Sequence, residues 1–140
     1  MKKQNEMKSL WPKIESMAED SPIRILKEQT DFFNVQMKSL LRCTLEREKK
    51  SDGVFDRSYD FIARLIITTP ALPDFKQKFI EVKYLVAEAY PCEVINCLEE
   101  RYHSTGLKAE NAKDFKMILK SILNSRKVIN ALQNMLAQDI

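Results

Sequence analysis

Glycine and histidine are almost missing from this sequence, and each shortage excludes a kind of chemistry. The 140 residues include two glycines and one histidine. A phosphate-binding loop needs several closely spaced glycines, whereas Gly53 and Gly106 are isolated. A catalytic triad or a histidine-containing metal site would have to use His103, and no residue near it in the sequence completes such a set. We expect no catalytic centre, no cofactor and no metal, and we interpret His103 as a solvent-exposed loop residue.

Cysteine is scarce too. Cys43, Cys92 and Cys97 form an odd set without the close paired spacing of a zinc site, and a secreted disulfide framework would show an even number. In a strand, Cys92 and Cys97 would project to opposite faces and could not bind one metal together. We interpret all three as reduced, buried small hydrophobic residues.

The sequence also lacks long apolar runs and a large excess of one charge. Its longest apolar-looking stretch without charge, Leu65 to Pro73, contains two prolines and is far too short to span a bilayer. No apolar run resembling a signal peptide follows the basic start of the chain. The chain has 23 Lys and Arg against 20 Asp and Glu, an excess too small to imply a polyanionic partner. We expect a cytoplasmic protein with no membrane partner.

What is present is the composition of one folded domain. Hydrophobic residues make up 44% of the chain and charged residues 31%, which is far from the composition of disordered chains. No linker, repeat or low-complexity segment divides it. The sequence predicts a single α+β domain over residues 1–140, with residues 1–9 as the candidate for a flexible end.

Helix signals occur near the start of the chain. Pro12 favours a short helix that begins there and places Ile14, Met17 and Ala18 on one face. Ser21-Pro22 is a second start signal, with an N-cap hydroxyl followed by proline at the first helical position. The apolar spacing after it predicts an amphipathic helix over residues 22–34.

The apolar period then changes from about 3.6 to 2, which indicates strands. A first strand is predicted from Met37 to Leu45. The turn 49–53 contains Asp-Gly and joins it to a second strand from Phe55 to Ile67. Pro70 and Pro73 turn the chain, a third strand starts near Phe79 with Val86 on its apolar side, and a fourth covers Cys92 to Leu98. Short connections favour an antiparallel sheet of about four strands whose order the sequence leaves open.

Two further cap signals lie in the last third. Asn111 with Asp114 three residues later resembles a capping pair, and Ser125 is a plausible second N-cap. The tail therefore forms either one long helix or two, of which we favour two. The single apolar stripe on every helix suggests that the helices cover the apolar side of the sheet and give a two-layer sandwich.

Acidic pairs and aromatic residues receive structural interpretations. Asp56 and Asp60 are expected on the polar face of the second strand, and Glu99-Glu100 follows the fourth; both pairs are interpreted as solvated. An enzyme with an unorthodox site at Asp56, Asp60 or His103 is the third hypothesis. We assign Trp11 and the strand aromatics to the core. Those strand aromatics are Phe55, Tyr59, Phe61 and Phe79.

Apolar residues on the predicted polar faces of the strands point to a contact surface. Leu40, Ile62, Ile66 and Ile95 lie where water is expected, so the second face is covered either by a helix of the chain or by another polypeptide. Covering by its own helices is the simpler interpretation; a homodimer or a protein partner is the alternative.

A basic helix face supplies a competing hypothesis, a nucleic-acid-associated protein. Charge runs of this kind are more often the solvated side of an amphipathic helix, so the sequence favours that interpretation over a nucleic-acid partner. The face would consist of Lys113, Lys116, Lys120, Arg126 and Lys127.

Four short motifs are spread along the chain: Trp11-Pro12-Lys13-Ile14, Ser21 to Gln29, Thr69-Pro70-Ala71-Leu72 and Tyr90-Pro91. Together they resemble a pattern found in small uncharacterised bacterial proteins. The resemblance covers most of the chain and implies a bacterial source and a stand-alone domain. Because the motifs are structural and not catalytic, it implies no activity. We therefore expect a non-catalytic bacterial protein that binds another protein or itself.

Overall fold

The computed structural model describes residues 7–14, 17–49, 59–99 and 106–139. The predicted α+β fold is confirmed, with three helices beside an antiparallel sheet in the described ranges. The sheet there has five strands instead of about four, in the order β1-β2-β3-β4-β5. The elements are α1 (Pro22–Met37), β1 (Arg42–Lys49), β2 (Phe61–Thr69), β3 (Leu72–Tyr84), β4 (Cys92–Asn96), β5 (Leu107–Ala109), α2 (Ala112–Leu123) and α3 (Arg126–Leu136).

Helix α1 begins where the Ser21-Pro22 signal predicts, although the Ser21 hydroxyl makes no capping hydrogen bond. The Ser21 carbonyl accepts the hydrogen bond of Ile25 N at 3.1 Å, and Pro22 occupies the first turn, where its missing N–H does not matter. The helix continues past residue 34 to Met37 and ends at Lys38, whose φ of 57° is left-handed. Met37 is therefore helical and does not start a strand, and Leu40 lies in the connection to β1.

The short helix predicted at Pro12 is wrong. Pro12, Ile14, Met17 and Ala18 have no helical structure, and all four are exposed. A short helix does not persist in water unless its apolar face is buried, and the apolar residues of this segment are exposed.

The first hairpin is confirmed as a pair of antiparallel strands. Cys43 lies opposite Ile67 and Leu45 opposite Leu65, so the predicted apolar row of β1 faces the core. The predicted second strand corresponds to β2, which begins at Phe61. Most of the predicted turn and the start of the predicted second strand lie outside the described residues.

The third strand is longer than predicted because only Pro70 and Ala71 form the turn. Strand β3 starts at Leu72 and includes Pro73, which is tolerated beside a register shift between Thr68 and Thr69. Val86 lies beyond the end of β3 and is 65% exposed, so its predicted place in the apolar row is wrong.

Both C-terminal cap signals are confirmed, and the tail forms two helices. Asn111 Oδ1 accepts from Asp114 N at 2.9 Å and caps the helix, while Asp114 Oδ2 accepts from the N–H of Glu110, the residue before the cap, at 3.2 Å. Ser125 Oγ accepts from Val128 N at 3.4 Å and begins α3. Strand β5 was missed because three residues are too few to show alternation.

All three helices pack on one side of the sheet, which we name the covered face. Buried residues of α1, α2 and α3 share one cluster with alternate residues of the strands, so the core lies between a helix layer and a sheet layer. None of the helices in the described ranges has the length and apolar character needed to cross a bilayer. The sheet side of the cluster consists of Cys43, Ala63, Leu65, Ile67, Phe79, Ile80, Val82, Tyr84, Cys92, Val94 and Ala109.

Candidate protein-binding face

The other side of the sheet, which we name the open face, carries the residues between those of the core. Strand register places its side chains in rows that cross the sheet. No helix among the described residues contributes to it, because the buried residues of all three belong to the opposite cluster. The first row is Glu48, Ile62, Lys83, Glu93 and Lys108, and the second is Glu46, Arg64, Glu81 and Ile95.

Three of the four apolar residues predicted for a contact surface lie on this face. Ile66 is 5% exposed and lies outside the core cluster, whereas Ile62 and Ile95 are half-buried. Leu40 is not on a strand; it precedes β1 and is 54% exposed. The prediction is therefore wrong in placing Leu40 on the polar face of a strand, because α1 and its turn extend through that position.

An ion-pair network occupies the centre of the open face. Arg64 Nε lies 2.9 Å from Glu81 Oε2, and Arg64 Nη2 lies 2.8 Å from Glu48 Oε1. Lys78 Nζ adds a third contact, 3.3 Å from Glu81 Oε2. The side chains of Arg64 and Glu81 are 21% and 16% exposed, so this pair is shielded from water more than an ordinary surface pair.

The network sets the ionisation of its members. Burial alone would raise the pKa of Glu81, but the hydrogen bonds from Arg64 and Lys78 outweigh it and hold that pKa below its usual value. The hydrogen bond to Glu81 raises the pKa of Arg64. Both side chains are therefore charged at neutral pH, and the isoleucines lie between fixed charges of opposite sign.

A cleft of about 340 Å³ lies at one end of this face. The ammonium group of Lys83 lies 5.0 Å from the ring centroid of Tyr59, and Gly106 N donates to Glu93 Oε2 at 3.2 Å. A Cβ at Gly106 would overlap the Glu93 side chain, so glycine is what allows this carboxylate to fold against β5. Positive and negative groups alternate along the cleft. Its lining is Tyr59, Lys83, Pro91, Cys92, Glu93, Gly106 and Lys108.

The cysteines are free thiols, as the sequence predicts. Burial raises the pKa of Cys92 to about 12 and that of Cys97 to about 11, with the charge of Glu81 adding to the effect at Cys97. Burial also raises the pKa of Cys43. These thiols are protonated at neutral pH and are therefore weak nucleophiles and weak metal ligands. Among described residues, no three His, Cys, Asp or Glu side chains form a group suited to a metal.

The acidic residues considered for catalysis do not converge where the structure describes them. Asp60 N donates to the Tyr84 carbonyl at 2.9 Å, and Asp60 Oδ2 accepts from Val86 N at 3.1 Å, so Asp60 fastens the chain before β2 to the end of β3. Glu99 is exposed and forms an ion pair with Lys127 at 3.4 Å. Asp56, Glu100 and His103 lie outside the described residues.

The predicted basic face lies on α2 and the start of α3. Lys116 and Lys120 border a groove of about 290 Å³ between α1 and α2, together with Gln29 and Asn124. No ion pair between described residues involves Lys113, Lys116, Lys120 or Arg126, whereas Lys127 is paired with Glu99.

One group of exposed apolar residues was not predicted. Trp11, which we assigned to the core, is 79% exposed and lies in no helix or strand. Phe32 and Val35 are similarly exposed on the outer side of α1, at 66% and 77%. The predicted core positions of Phe61 and Tyr59 are half-buried, Phe79 is fully buried, and Phe55 is outside the described residues. The other exposed members of the N-terminal segment are Met7, Leu10, Ile14 and Met17.

No protein-family model, curated protein or solved structure matches this chain.

Proposed function

We propose that this chain is a non-catalytic protein-binding domain, and that the open face of its sheet contacts either another protein or a second copy of the chain. The observation that carries the proposal is that Ile62 and Ile95 remain half-buried on a sheet face over which no described helix packs, beside the already buried Ile66. An apolar centre among ordered charged groups, with arginine present, is typical of protein interfaces.

The charges of the open face fit a role in specificity. Arg64 and Glu81 are already paired with each other, so a partner can cover them without leaving either charge alone. The less buried charges Glu46, Lys78 and Lys83 surround the isoleucines, where they would discriminate between partners and steer association.

The size of the complex in the native host tests this function. In extracts, the tagged wild-type chain should elute well above its own 16.4 kDa. The double substitution Ile62→Asp and Ile95→Asp should shift it to the monomer position, because aspartate would be buried without a partner. The matched control is Met117→Asp with Ile129→Asp, two exposed apolar residues of the helices, and it should leave the complex intact. Wild-type chain at monomer size would contradict the proposal.

A nucleic-acid-associated role is the second candidate, and it is favoured by the lysines of α2, which form no ion pair with another described residue. Lys116 and Lys120 lie beside amide groups at the α1–α2 groove, which suits phosphate oxygens. Under this hypothesis, binding to duplex DNA or RNA should weaken steeply with salt. The change Lys116→Gln with Lys120→Gln should reduce the salt slope by about 2, whereas Lys76→Gln with Lys78→Gln should not.

A further inference from the structure

The outer edge of β1 is shaped by one asparagine. Cys43 N donates to Asn34 Oδ1 at 2.7 Å, and Asn34 Nδ2 donates to the Cys43 carbonyl at 2.9 Å. The side chain of Asn34 thus bonds Cys43 as a neighbouring strand would. Both polar backbone groups of Cys43 therefore point away from β2.

The direction of the Cys43 backbone groups determines the direction of the other backbone groups along this edge. Along an antiparallel strand, the backbone groups of successive residues point alternately to either side. The pairing of β1 with β2 is uninterrupted from Arg42 to Lys49, so Leu45, Arg47 and Lys49 also point outward. No hydrogen bond between described residues uses these outward N–H and C=O groups. Unpaired edge groups of this kind are a template for another strand.

The opposite edge of the sheet offers much less. Cys97 N donates to the Phe79 carbonyl, so the odd residues at this end of β4 bond β3 and its even residues bond β5. Leu107 and Ala109 consequently point inward, and only Lys108 of β5 points outward. The edge of β1 spans about 13 Å from Leu45 to Lys49. Of the two outermost strands, β1 therefore offers the longer free edge to an added strand.

Charges on β1 specify what that strand would carry. On the open face, Glu46, Arg64 and Glu81 follow one another across three strands with alternating sign. An added strand beside β1 would have one residue opposite Glu46 and another opposite Glu48, and a positive side chain is favoured at both positions. Arg47 projects to the other side of the strand, where a negative side chain opposite it is favourable.

A second copy of β1 does not meet this requirement. If two β1 edges paired antiparallel through Leu45, Arg47 and Lys49, Glu46 would lie opposite Glu48 in both directions. Arg47 would lie opposite the same arginine. Like charges in directly opposed positions destabilise strand pairing, so the charges that select a partner also exclude self-pairing at this edge.

We propose that the β1 edge binds an extended segment of a different protein as an additional antiparallel strand. That segment carries lysine or arginine opposite Glu46 and Glu48 and an acidic residue opposite Arg47. This inference rests on the proposed protein-binding function, to which it adds the partner's chemistry and its mode of binding. A small apolar residue opposite Leu45 completes the pattern.

Two synthetic peptides test the inference on the full chain. Thr-Glu-Lys-Glu-Lys-Val-Thr presents the required pattern, and Thr-Lys-Glu-Lys-Glu-Val-Thr reverses every charge. The first should slow amide hydrogen exchange at Leu45 and Arg47 and leave exchange at Thr44 and Glu46 unchanged, since their groups already bond β2. The second should bind about tenfold more weakly, because several cross-strand pairs become repulsive. Equal binding of the two peptides, or no binding, would overturn the proposal.

Variants separate the edge from the rest of the molecule. Arg47→Pro removes one outward N–H and should abolish binding, whereas Lys108→Pro does the same at the other edge and should have no effect. If Arg47→Pro fails to fold, Glu46→Lys with Glu48→Lys should remove most of the preference between the peptides, because two cross-strand pairs then favour each peptide; an unchanged preference would overturn the proposal.

The open-face variant Ile62→Asp with Ile95→Asp should still bind the peptide. If the peptide does not bind the wild-type chain, but Ile62→Asp with Ile95→Asp reduces the size of the native complex, the edge proposal is wrong and the protein-binding function is supported.

Discussion

The two faces of this sheet are built by the same strands and differ in what packs against them. On the covered face, Ile80, Val82 and Val94 are at most 1% exposed because helices lie over them. On the open face, Ile62 and Ile95 remain half-buried, with charged neighbours in place of helices. Period-2 alternation thus specifies which residues share a face, but the helices decide which face becomes core. The open face is ordered by ion pairs and remains available for contact.

The largest expected difference between the faces is in stability. Ile80→Ala removes a fully buried side chain from the core and should lower the free energy of unfolding by about 2–5 kcal/mol. Ile95→Ala, on the neighbouring strand but on the open face, should cost less than about 1.5 kcal/mol because the site is already partly hydrated. Urea unfolding measures both. Equal losses would show that another part of the chain covers the open face.

The ion pair at the centre of the open face predicts a smaller effect that depends on pH. Because the pKa of Glu81 is lower in the folded chain than its ordinary 4.5, its contribution to stability is present above that value and is lost as pH falls through the folded pKa. Glu81→Gln should lower the free energy of unfolding by about 1 kcal/mol at pH 7. It should also make that free energy fall less steeply as the pH drops below about 5, the region that we call the acid limb.

Glu46→Gln is the control for this measurement. Its carboxylate is 3.8 Å from Lys76 Nζ and its side chain is 44% exposed, so the loss of this exposed pair should lower the free energy of unfolding at pH 7 by less than Glu81→Gln does. An acid limb that stays the same in Glu81→Gln would contradict the assigned role of the Arg64 pair.

The smallest expected difference between the two faces is in thiol reactivity, which depends on where each cysteine lies. Cys43 and Cys92 belong to the covered face, whereas Cys97 is half-buried in the turn after β4. At pH 8 Cys97 should react with a disulfide reagent before the other two cysteines do. Its reaction should still be more than about tenfold slower than that of free cysteine, because its pKa is about 11. Cys92 should react only on unfolding, and simultaneous reaction of all three would be inconsistent with this arrangement.

Local signals predicted the parts of the fold that local chemistry determines. The start of α1 at Pro22 and the caps at Asn111 and Ser125 follow from backbone hydrogen bonding within a few residues. The pairing of β1 with β2 follows from alternation. Errors occur where a neighbouring segment overrides the pattern: α1 extends through Met37, and β3 continues through Pro73 because a register shift accommodates it.

The candidate site was predictable only in part. Alternation placed Ile62, Ile66 and Ile95 on one face before their surroundings were known. The pairing of Arg64 with Glu81 depends on the register between two strands, which no local pattern specifies. Likewise, the contact of Asn34 with Cys43 joins the end of a helix to a strand edge. Trp11 was assigned to the core together with aromatic residues spaced at the strand period, but it lies in no strand and is exposed.

Photo-cross-linking in the native host tests the open face most directly. A photoreactive amino acid in place of Ile95 reports what lies within a few ångströms of that face, and the same group in place of the exposed Ser121 of α2 is the control. We predict a discrete cross-linked polypeptide, either a second copy or one defined partner, from position 95 and none from position 121. Cross-linking from position 121 alone, or from neither position, would contradict the assignment of the open face as the contact surface.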